Sequence, residues 1–188
     1  MHLSNKGAMH ELEIQVLRGG GVGVLLTDTL YGLVGSARSK KAVRKIYRIK
    51  GRNNKKPLII LISSIKDLKL FGIEYDGKTE KILKKFWPGP VSIIMPCVQK
   101  KFEYLHRGTQ TLAFRFPAKK ALIEILKHTG PLVAPSANPE GLPPANTIQE
   151  AKKYFGGKVD FYGREGVPKT RPSKIITIID NKVQIVRK

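Results

Sequence analysis

Hydrophobic and polar positions along the chain predict an alternation of strands and helices. Residues 22–26 form an unbroken apolar run, which is typical of a buried strand, whereas residues 39–50 carry apolar side chains at near-helical spacing. The predicted strands cover residues 22–26, 58–62, 91–95, 112–116, 132–134, 174–179 and 182–187. The predicted helices cover residues 10–18, 39–50, 64–71, 78–87, 118–127 and 147–155. This order predicts an α/β fold with a twisted sheet flanked by helices.

Local signals indicate where several helices begin and end. Ser39 is a predicted N-cap for the helix that runs to residue 50. Gly51 follows this helix as a residue free to adopt positive φ, and Pro57 prevents a helix from continuing into the next apolar run. Thr147 and Glu150 form a capping-box pattern at the start of the last helix.

The end of the chain predicts a β-hairpin, because the dipeptide Asp180-Asn181 separates two apolar segments. A hairpin makes the sheet mixed rather than purely parallel. No repeat, low-complexity tract or linker marks a second domain. We therefore predict one domain over residues 1–188, with no C-terminal extension domain.

Composition is that of a globular protein, with 41% hydrophobic and 26% charged residues. Cys97 is the only cysteine, so a disulfide framework within the chain is excluded, and we expect it to be a small buried hydrophobe. No stretch approaches the ~20 apolar residues of a membrane span, and the first residues lack a signal-peptide layout. The expected location is the cytoplasm, without a membrane partner.

The charge is strongly positive and unevenly distributed. Thirty-five Lys and Arg residues against 14 Asp and Glu give a net charge of +21. Residues 38–56 contain ten basic side chains and no acidic one, at Arg38, Lys40, Lys41, Arg44, Lys45, Arg48, Lys50, Arg52, Lys55 and Lys56. Such a block favours a polyanionic partner, which could be nucleic acid, nucleotide phosphates or both. The plainer alternative is a solvated surface whose lysines complement the helix dipole.

Several familiar sites are absent from the sequence, including a P-loop, a dinucleotide fingerprint, a nucleophile elbow and a metal-binding histidine pattern. The polar residues that follow predicted strands are mostly Lys, Arg, Ser, Thr and Asn. These groups bind phosphate and position substrates, which suits phosphoryl or nucleotidyl transfer. We identify no metal-ligating side chains, and expect Mg²⁺ to accompany a nucleotide.

Two short motifs carry a resemblance to a known family. The order Lys50-Gly51-Arg52, then Ser136-Ala137-Asn138, resembles the Lys-x-Arg and Ser-x-Asn signature of the YrdC-like family, the threonylcarbamoyl-adenylate synthases. Further matching segments lie at residues 27–33, 87–90 and 112–117. The resemblance implies a twisted α/β sheet with a large basic cavity. It also implies a nucleotidyltransferase that joins L-threonine, bicarbonate and ATP into threonylcarbamoyl-adenylate and pyrophosphate.

The resemblance also implies roles for individual residues. Catalysis would involve Lys50, Arg52, Ser136 and Asn138. The nucleotide would be bound by Lys50, Arg52, Lys56, Thr111, Ser136, Asn138 and Arg187. Threonine would be bound by Thr29, Tyr31, Arg115, Ala134 and Ser173. The product would pass to threonylcarbamoyl-transferase proteins that modify tRNA next to the anticodon.

Three alternatives remain open at the level of sequence. The chain could be a noncatalytic RNA-binding module, because its +21 charge would also support that function. It could also be a paralogue with a different acceptor. For Arg115, the alternative to a carboxylate clamp is an internal ion pair with Asp28 that serves the fold.

Overall fold

A computed structural model describes residues 5–169 and 171–187. The strands are β1 Val22–Leu26, β2 Tyr31–Ser36, β3 Ile59–Leu61, β4 Val91–Pro96, β5 Thr111–Arg115, β6 Leu132–Val133, β7 Phe161–Tyr162, β8 Lys174–Ile179 and β9 Lys182–Arg187. The α-helices are α1 Asn5–Arg18, α2 Lys40–Lys50, α3 Gly77–Phe86, α4 Glu103–His106, α5 Lys120–Thr129 and α6 Ile148–Phe155. Short 3₁₀ helices cover Ile65–Phe71, Lys100–Phe102 and Gly156–Lys158.

The strands of the described ranges form one sheet in the order β7-β1-β2-β6-β3-β5-β4-β8-β9. The pairs β1–β7, β3–β5 and β4–β8 are parallel, and the remaining neighbours are antiparallel. The predicted single-domain α/β fold with a mixed sheet is therefore confirmed. We inferred a mixed sheet from the terminal hairpin alone. The structure shows antiparallel pairs in other parts of the sheet as well.

The sequence patterns missed β2, β7 and α4. The matching segment 27–33 contains a turn only as far as residue 30, because Tyr31 already pairs with Leu26 in the β1–β2 hairpin. Two glycines interrupt the apolar pattern of β2. One of them, Gly35, lies so close to α2 that an added Cβ would come within 3.2 Å of Ala42 Cβ and 3.1 Å of Ile46 Cδ1. Glycine therefore permits close packing here and weakens the strand signal.

The two faces of the sheet are covered differently. Residues of α2, α3 and α6 belong to the large core on one face. On the other face α1 and α5 pack over Leu25, Val34, Leu61 and Leu132, which lie toward the β1, β2, β6 and β3 part of the sheet. The same face of β4, β5 and β8 lines a cavity instead. One half of this face is therefore closed by helices, and the other half is accessible to ligands.

The predicted caps and turn are confirmed. Ser39 Oγ accepts a hydrogen bond from Ala42 N at 3.1 Å, and Gly51 has a left-handed φ of 61°. Asp180 and Asn181 both have positive φ in the β8–β9 turn, as a two-residue type I′ hairpin requires.

Two expectations about composition also have outcomes. Cys97 is buried, as expected for a small hydrophobe. None of the helices within the described ranges combines the length and apolar character that crossing a membrane demands.

Candidate functional site

The cavity has a volume of about 730 Å³. Alternate residues of its strands point into it: Thr111, Ala113 and Arg115 of β5 line the cavity, whereas Leu112 and Phe114 belong to the large core. Ile59 and Ile94 lie beside Ala113 on the two neighbouring strands and, with Ile175 of β8, give the cavity an apolar floor. Polar groups are therefore concentrated where strands end and turns begin.

The β1–β2 turn forms one wall of the cavity. Thr27 Oγ1 donates to Leu30 O at 2.7 Å and accepts from Thr29 N at 3.2 Å. Thr29 itself is 4% exposed and lies with Thr27 on the wall. These bonds make the turn compact, so its hydroxyl groups are held in place.

Tyr31 joins this wall to the segment that follows β7. Its buried hydroxyl donates to Gly166 O and accepts from Gly166 N, both at 2.9 Å. Lys169 N also donates to Thr29 O at 2.7 Å. Burial raises the pKa of the Tyr31 hydroxyl, so it stays protonated at neutral pH. Ala134, the remaining apolar member of the predicted threonine set, also lies on the wall.

Arg115 is the most deeply buried charged group of the cavity wall, at 4% exposure. Its Nη2 lies 3.2 Å from Asp28 Oδ1 and donates to Thr27 Oγ1 at 3.3 Å. Burial lowers the pKa of Arg115, and the negative charge of Asp28 opposes this effect. The structure thus contains the ion pair that we considered as an alternative, and it also places Arg115 on the cavity.

Arg52 lies on another part of the wall, held by the turn that follows α2. Its Nε donates to Lys56 O at 3.1 Å and one Nη2 hydrogen to Pro57 O at 3.0 Å. Two main-chain carbonyls therefore orient the guanidinium while other N–H groups remain for a ligand. Lys56 points away, forming an ion pair with Glu140 at 2.5 Å, and is not part of the wall.

Arg187 reaches the cavity from β9 through a β-bulge. Ile176 pairs with Ile185 and Ile175 pairs with Arg187, so Val186 is an extra residue in the ladder. A regular ladder would place Val186 on the cavity face, since side chains alternate along a strand. Arg187 Nη2 donates to Ser173 O at 2.8 Å, and burial lowers the pKa of Arg187.

Lys50 does not lie on the cavity wall, although the sequence suggested an exposed phosphate-facing cation. It is 3% exposed, and its ammonium donates to Ser136 O at 2.8 Å, Asn138 O at 2.6 Å and Asn138 Oδ1 at 3.0 Å. Burial, followed by the charge of Arg52, lowers the pKa of Lys50 to about 8. Phosphate binding by Lys50 stays a prediction.

Asn138 also lies outside the wall, under the segment that carries Ser136. Its Nδ2 donates to Pro139 O at 2.9 Å and to Leu142 O at 2.6 Å. Of the predicted signature, Arg52 and Ser136 therefore face the cavity, and Lys50 and Asn138 hold the segment that presents Ser136.

The remaining predicted residues, Thr111 and Ser173, lie on the wall, where Ser173 Oγ hydrogen-bonds Ser92 Oγ at 2.9 Å. Thr109 and Asn146 are wall residues that the sequence did not single out. Asn146 precedes the Thr147 cap, where a polar residue is typical of a turn. No distinctive signal marked either residue.

The charged residues of the described wall are the three arginines at 52, 115 and 187. None of the described wall residues carries a carboxylate. The described residues contain no group of three His, Cys, Asp or Glu side chains able to hold a metal ion. The arrangement can bind anionic groups at several separated points, over an apolar floor. A basic character of the whole cavity stays a prediction.

A family model for Sua5/YciO/YrdC proteins, described as telomere recombination, matches residues 15–188. The chain belongs to the Sua5/YciO/YrdC family. This confirms the resemblance seen in the sequence motifs.

Relatives of this Sua5/YciO/YrdC chain include named synthases. A threonylcarbamoyl-AMP synthase of Thiobacillus denitrificans is 31% identical over 182 residues, 96% of both chains. The Pyrococcus abyssi threonylcarbamoyl-AMP synthase is 32% identical over 145 residues, 77% of this chain and 43% of the relative. The chain thus spans less than half the length of some relatives and nearly all of others.

Solved structures of the family share the fold. Pyrococcus abyssi Sua5 complexed with L-threonine has a TM-score of 0.82 and 28% identity, covering 95% of this chain and 53% of that one. Escherichia coli YciO has a TM-score of 0.81 and 22% identity, covering 96% and 89% of the two chains. The YciO likeness concerns the fold alone. The expected absence of a C-terminal extension domain stays a prediction.

Proposed function

We propose that the protein is a threonylcarbamoyl-AMP synthase, a nucleotidyltransferase that forms L-threonylcarbamoyl-adenylate and pyrophosphate from L-threonine, bicarbonate and ATP. Relatives of nearly equal length carry the same name, such as the Thiobacillus protein. The cavity volume of about 730 Å³ lies within the range of roughly 300–1,000 Å³ that is typical of small-molecule sites.

Arg115 is the observation that carries the proposal. Arg115 has 5% side-chain exposure on the cavity wall, and its contact with Asp28 leaves Nε without an acceptor among the described residues. A ligand carboxylate fits the planar donors of such a guanidinium. Thr29 lies on the same wall and offers a hydroxyl group to a small polar ligand. The Pyrococcus relative was solved with L-threonine bound, which supports assigning this part of the cavity to threonine.

The remaining wall suits a nucleotide. Arg52, Arg187, Ser136 and Thr111 offer cationic and hydroxyl groups for phosphate and ribose, with the apolar floor beside them. A magnesium ion would be carried by the phosphates, since the described wall offers hydroxyl and amide oxygens but no carboxylate. We expect Lys50, Lys56 and Asn138 to act by holding the two segments that present Arg52 and Ser136.

The chemistry requires two bonds to form. The threonine amine bonds to the bicarbonate carbon with loss of water, and a carboxyl oxygen of the carbamate displaces pyrophosphate from the α-phosphorus of ATP. Arginine side chains facing the phosphates stabilise the negative charge that moves onto pyrophosphate. Alignment and charge neutralisation are the contributions that these wall residues can make.

The proposal is tested by measuring pyrophosphate release with each substrate omitted in turn. We expect release only when L-threonine, bicarbonate and ATP are all present. Release that is unchanged without threonine would contradict the proposal and would favour a paralogue with a different acceptor. Arg115→Gln should raise the KM for threonine strongly while nucleotide binding is kept.

Binding of RNA is a second candidate function, favoured by the outer surface of α2. We define the basic face of α2 as Lys40, Lys41, Arg44 and Arg48, which are all exposed. Residues one turn apart on a helix are separated by about 5.4 Å along the axis, a spacing similar to that of phosphates along one strand. None of the four forms an ion pair within the described residues. The face therefore fits a nucleic-acid backbone, such as that of tRNA.

The test is the salt dependence of RNA affinity. The triple variant Lys40→Gln, Arg44→Gln, Arg48→Gln should bind tRNA more weakly and lower the log–log salt slope by about two to three units. A matched control neutralises three exposed lysines with similar spacing on α3, at residues 78, 81 and 85. Equal losses in both triple variants would contradict a specific role for α2.

Partner proteins and location follow from the proposed reaction. The adenylate is a reactive intermediate, and threonylcarbamoyl-transferase proteins would consume it to modify tRNA next to the anticodon. A cytoplasmic location fits substrates that are cytoplasmic metabolites.

A further inference from the structure

Asp28 and Arg115 form a buried pair of opposite charges beside the cavity. Their side chains are 6% and 5% exposed, and Asp28 Oδ1 lies 3.2 Å from Arg115 Nη2. Within the described residues, neither carboxylate oxygen of Asp28 accepts a hydrogen bond, and Arg115 Nε has no acceptor. The contact is thus an ion pair by distance without aligned hydrogen bonds. Such a pair contributes little net stability to a fold. We therefore look for its role in the cavity.

The β1–β2 turn fixes the position of Asp28. Leu30 O accepts hydrogen bonds from Thr27 N at 3.1 Å and from Thr27 Oγ1 at 2.7 Å, which closes the backbone around Asp28. The cavity wall includes Thr27, Thr29 and Arg115 but not Asp28. The carboxylate therefore meets the guanidinium from behind the wall.

Lys119 is a second cation influenced by Asp28. Its Nζ donates to Leu26 O at 2.8 Å; burial lowers the pKa of Lys119, and the charge of Asp28 opposes this effect. The charge of Arg187 also acts on Arg115 and lowers its pKa. Positive groups therefore outnumber Asp28 around Arg115, which favours an incoming carboxylate.

We propose that Asp28 is a positioning residue for the substrate carboxylate, holding Arg115 from behind the wall so that the free N–H groups of the guanidinium face the cavity. The inference rests on the proposed function, because it takes threonine as the source of the carboxylate. Asp28 does not touch the substrate, and its effect passes through Arg115. Without the carboxylate, the bond to Thr27 Oγ1 is the one side-chain hydrogen bond that holds the guanidinium among the described residues, and we expect the guanidinium to turn away from the substrate.

The experiment compares Asp28→Asn, Asp28→Glu and wild type. L-Threonine affinity is measured by calorimetry in the presence of ATP, and the KM values for threonine and ATP are measured from pyrophosphate release. We expect Asp28→Asn to weaken threonine binding about tenfold or more and to leave the KM for ATP within about twofold. Asp28→Glu keeps the negative charge but places it one methylene farther from the backbone. Its threonine affinity should lie between those of wild type and Asp28→Asn.

Asp76→Asn is the matched control. Asp76 is an exposed carboxylate that caps α3 by accepting from Thr79 N at 2.7 Å. Asparagine caps helices about as well as aspartate, so this variant should behave as wild type in every measurement.

A separate variant distinguishes fold from positioning. Asp28→Asn combined with Arg115→Gln removes both buried charges and should regain thermal stability lost in Asp28→Asn alone, but not threonine affinity. If Asp28→Asn fails to fold, Asp28→Glu tests the proposal instead. The proposal then requires Asp28→Glu to bind threonine more weakly than wild type with an unchanged KM for ATP. A wild-type threonine affinity together with a wild-type KM for ATP would overturn it.

Three results would contradict the role of Asp28. Asp28→Asn with lower thermal stability and wild-type threonine affinity would show a role in the fold alone. Tighter threonine binding would show that Asp28 only reduces the positive potential. A wild-type protein that binds no threonine would refute both proposals. Pyrophosphate release independent of threonine refutes the synthase function alone, and the calorimetric comparison still decides the role of Asp28.

Discussion

Arg52 and Lys50 are two residues apart and belong to one motif, yet they occupy different environments. Arg52 lies on the cavity wall, and Lys50 is buried with three acceptors around its ammonium. We therefore expect Arg52 to contact the ligand and Lys50 to support the structure. Substitutions at the two positions should have opposite signatures in activity and stability assays.

Arg52→Ala should reduce turnover strongly and leave stability nearly unchanged. The side chain contributes two hydrogen bonds to turn carbonyls at the surface, whereas its remaining N–H groups face the proposed phosphates. We expect a loss of about 10² or more in kcat/KM for ATP. A variant with wild-type kinetics would remove Arg52 from the site.

Lys50→Met should destabilise the protein by roughly 3 kcal/mol, because buried carbonyl acceptors of residues 136 and 138 lose their donor. Urea unfolding measures this difference, and Lys56→Met serves as a control because Lys56 forms an exposed ion pair. An unchanged unfolding midpoint for Lys50→Met would contradict the structural role.

The stability difference between wild type and Lys50→Met should also depend on pH. Burial lowers the pKa of folded Lys50 to about 8, whereas an unfolded lysine titrates near 10.4. Between these values the unfolded chain binds more protons, so wild-type stability rises with pH relative to the variant, by at most about 3 kcal/mol. If the stability difference between wild type and Lys50→Met does not change between pH 7 and 10, the three acceptors keep the folded Lys50 ammonium protonated.

At the scale of elements, the end of α2 determines where Arg52 lies. Gly51 adopts a φ of 61° at the C-cap, and the next residue begins the turn that orients the guanidinium. Glycine takes this conformation without the strain that a Cβ introduces for most other residues. The position of a functional side chain therefore depends on the backbone freedom of its neighbour.

Gly51→Ala should lower stability by about 1 kcal/mol through backbone strain. Gly77→Ala is a matched control: an added Cβ has open space at both positions, but Gly77 lies at the start of α3 without a positive φ. We expect Gly77→Ala to be neutral or slightly stabilising. Equal thermal shifts for the two variants would contradict the strain argument.

Elements with local signals were predicted well from sequence. The caps at Ser39 and Thr147 and the Asp180-Asn181 turn depend on adjacent residues, and the structure shows all three. Strands β2 and β7 depend instead on pairing with β1, which no short window reveals. Their short or glycine-rich sequences offered little to find.

Site residues show the same division between local and distant information. The motifs predicted Arg52, Ser136 and Arg115 as ligand-binding residues, and all three lie on the cavity wall. Their roles in binding stay predictions. Sequence could not show that the acceptors of Lys50 would come from residues 136 and 138, more than 80 positions away. Burial and partner choice result from tertiary packing.

At the scale of the whole molecule, ligand binding and folding are linked through the cavity. Its floor consists of strands whose opposite face contributes to the large core. Ligands that bridge the separated arginines would therefore hold several strands and turns together.

L-Threonine should raise the melting temperature further when ATP is present. Ligand at ~100 times its dissociation constant adds about 2.7 kcal/mol to the free energy of unfolding. D-Threonine is the control, since it has the same charge and composition but places its side chain differently. Equal shifts for the two enantiomers would indicate a nonspecific effect.

The alternation of β5 subjects adjacent positions to separate evolutionary pressures. Leu112 and Phe114 pack in the large core, where we expect other large apolar side chains to be acceptable substitutes. Thr111, Ala113 and Arg115 line the cavity, where the proposed function would constrain size and charge. Descendants that acquire a new substrate should therefore diverge at every second residue of this strand while the intervening residues drift among hydrophobic types.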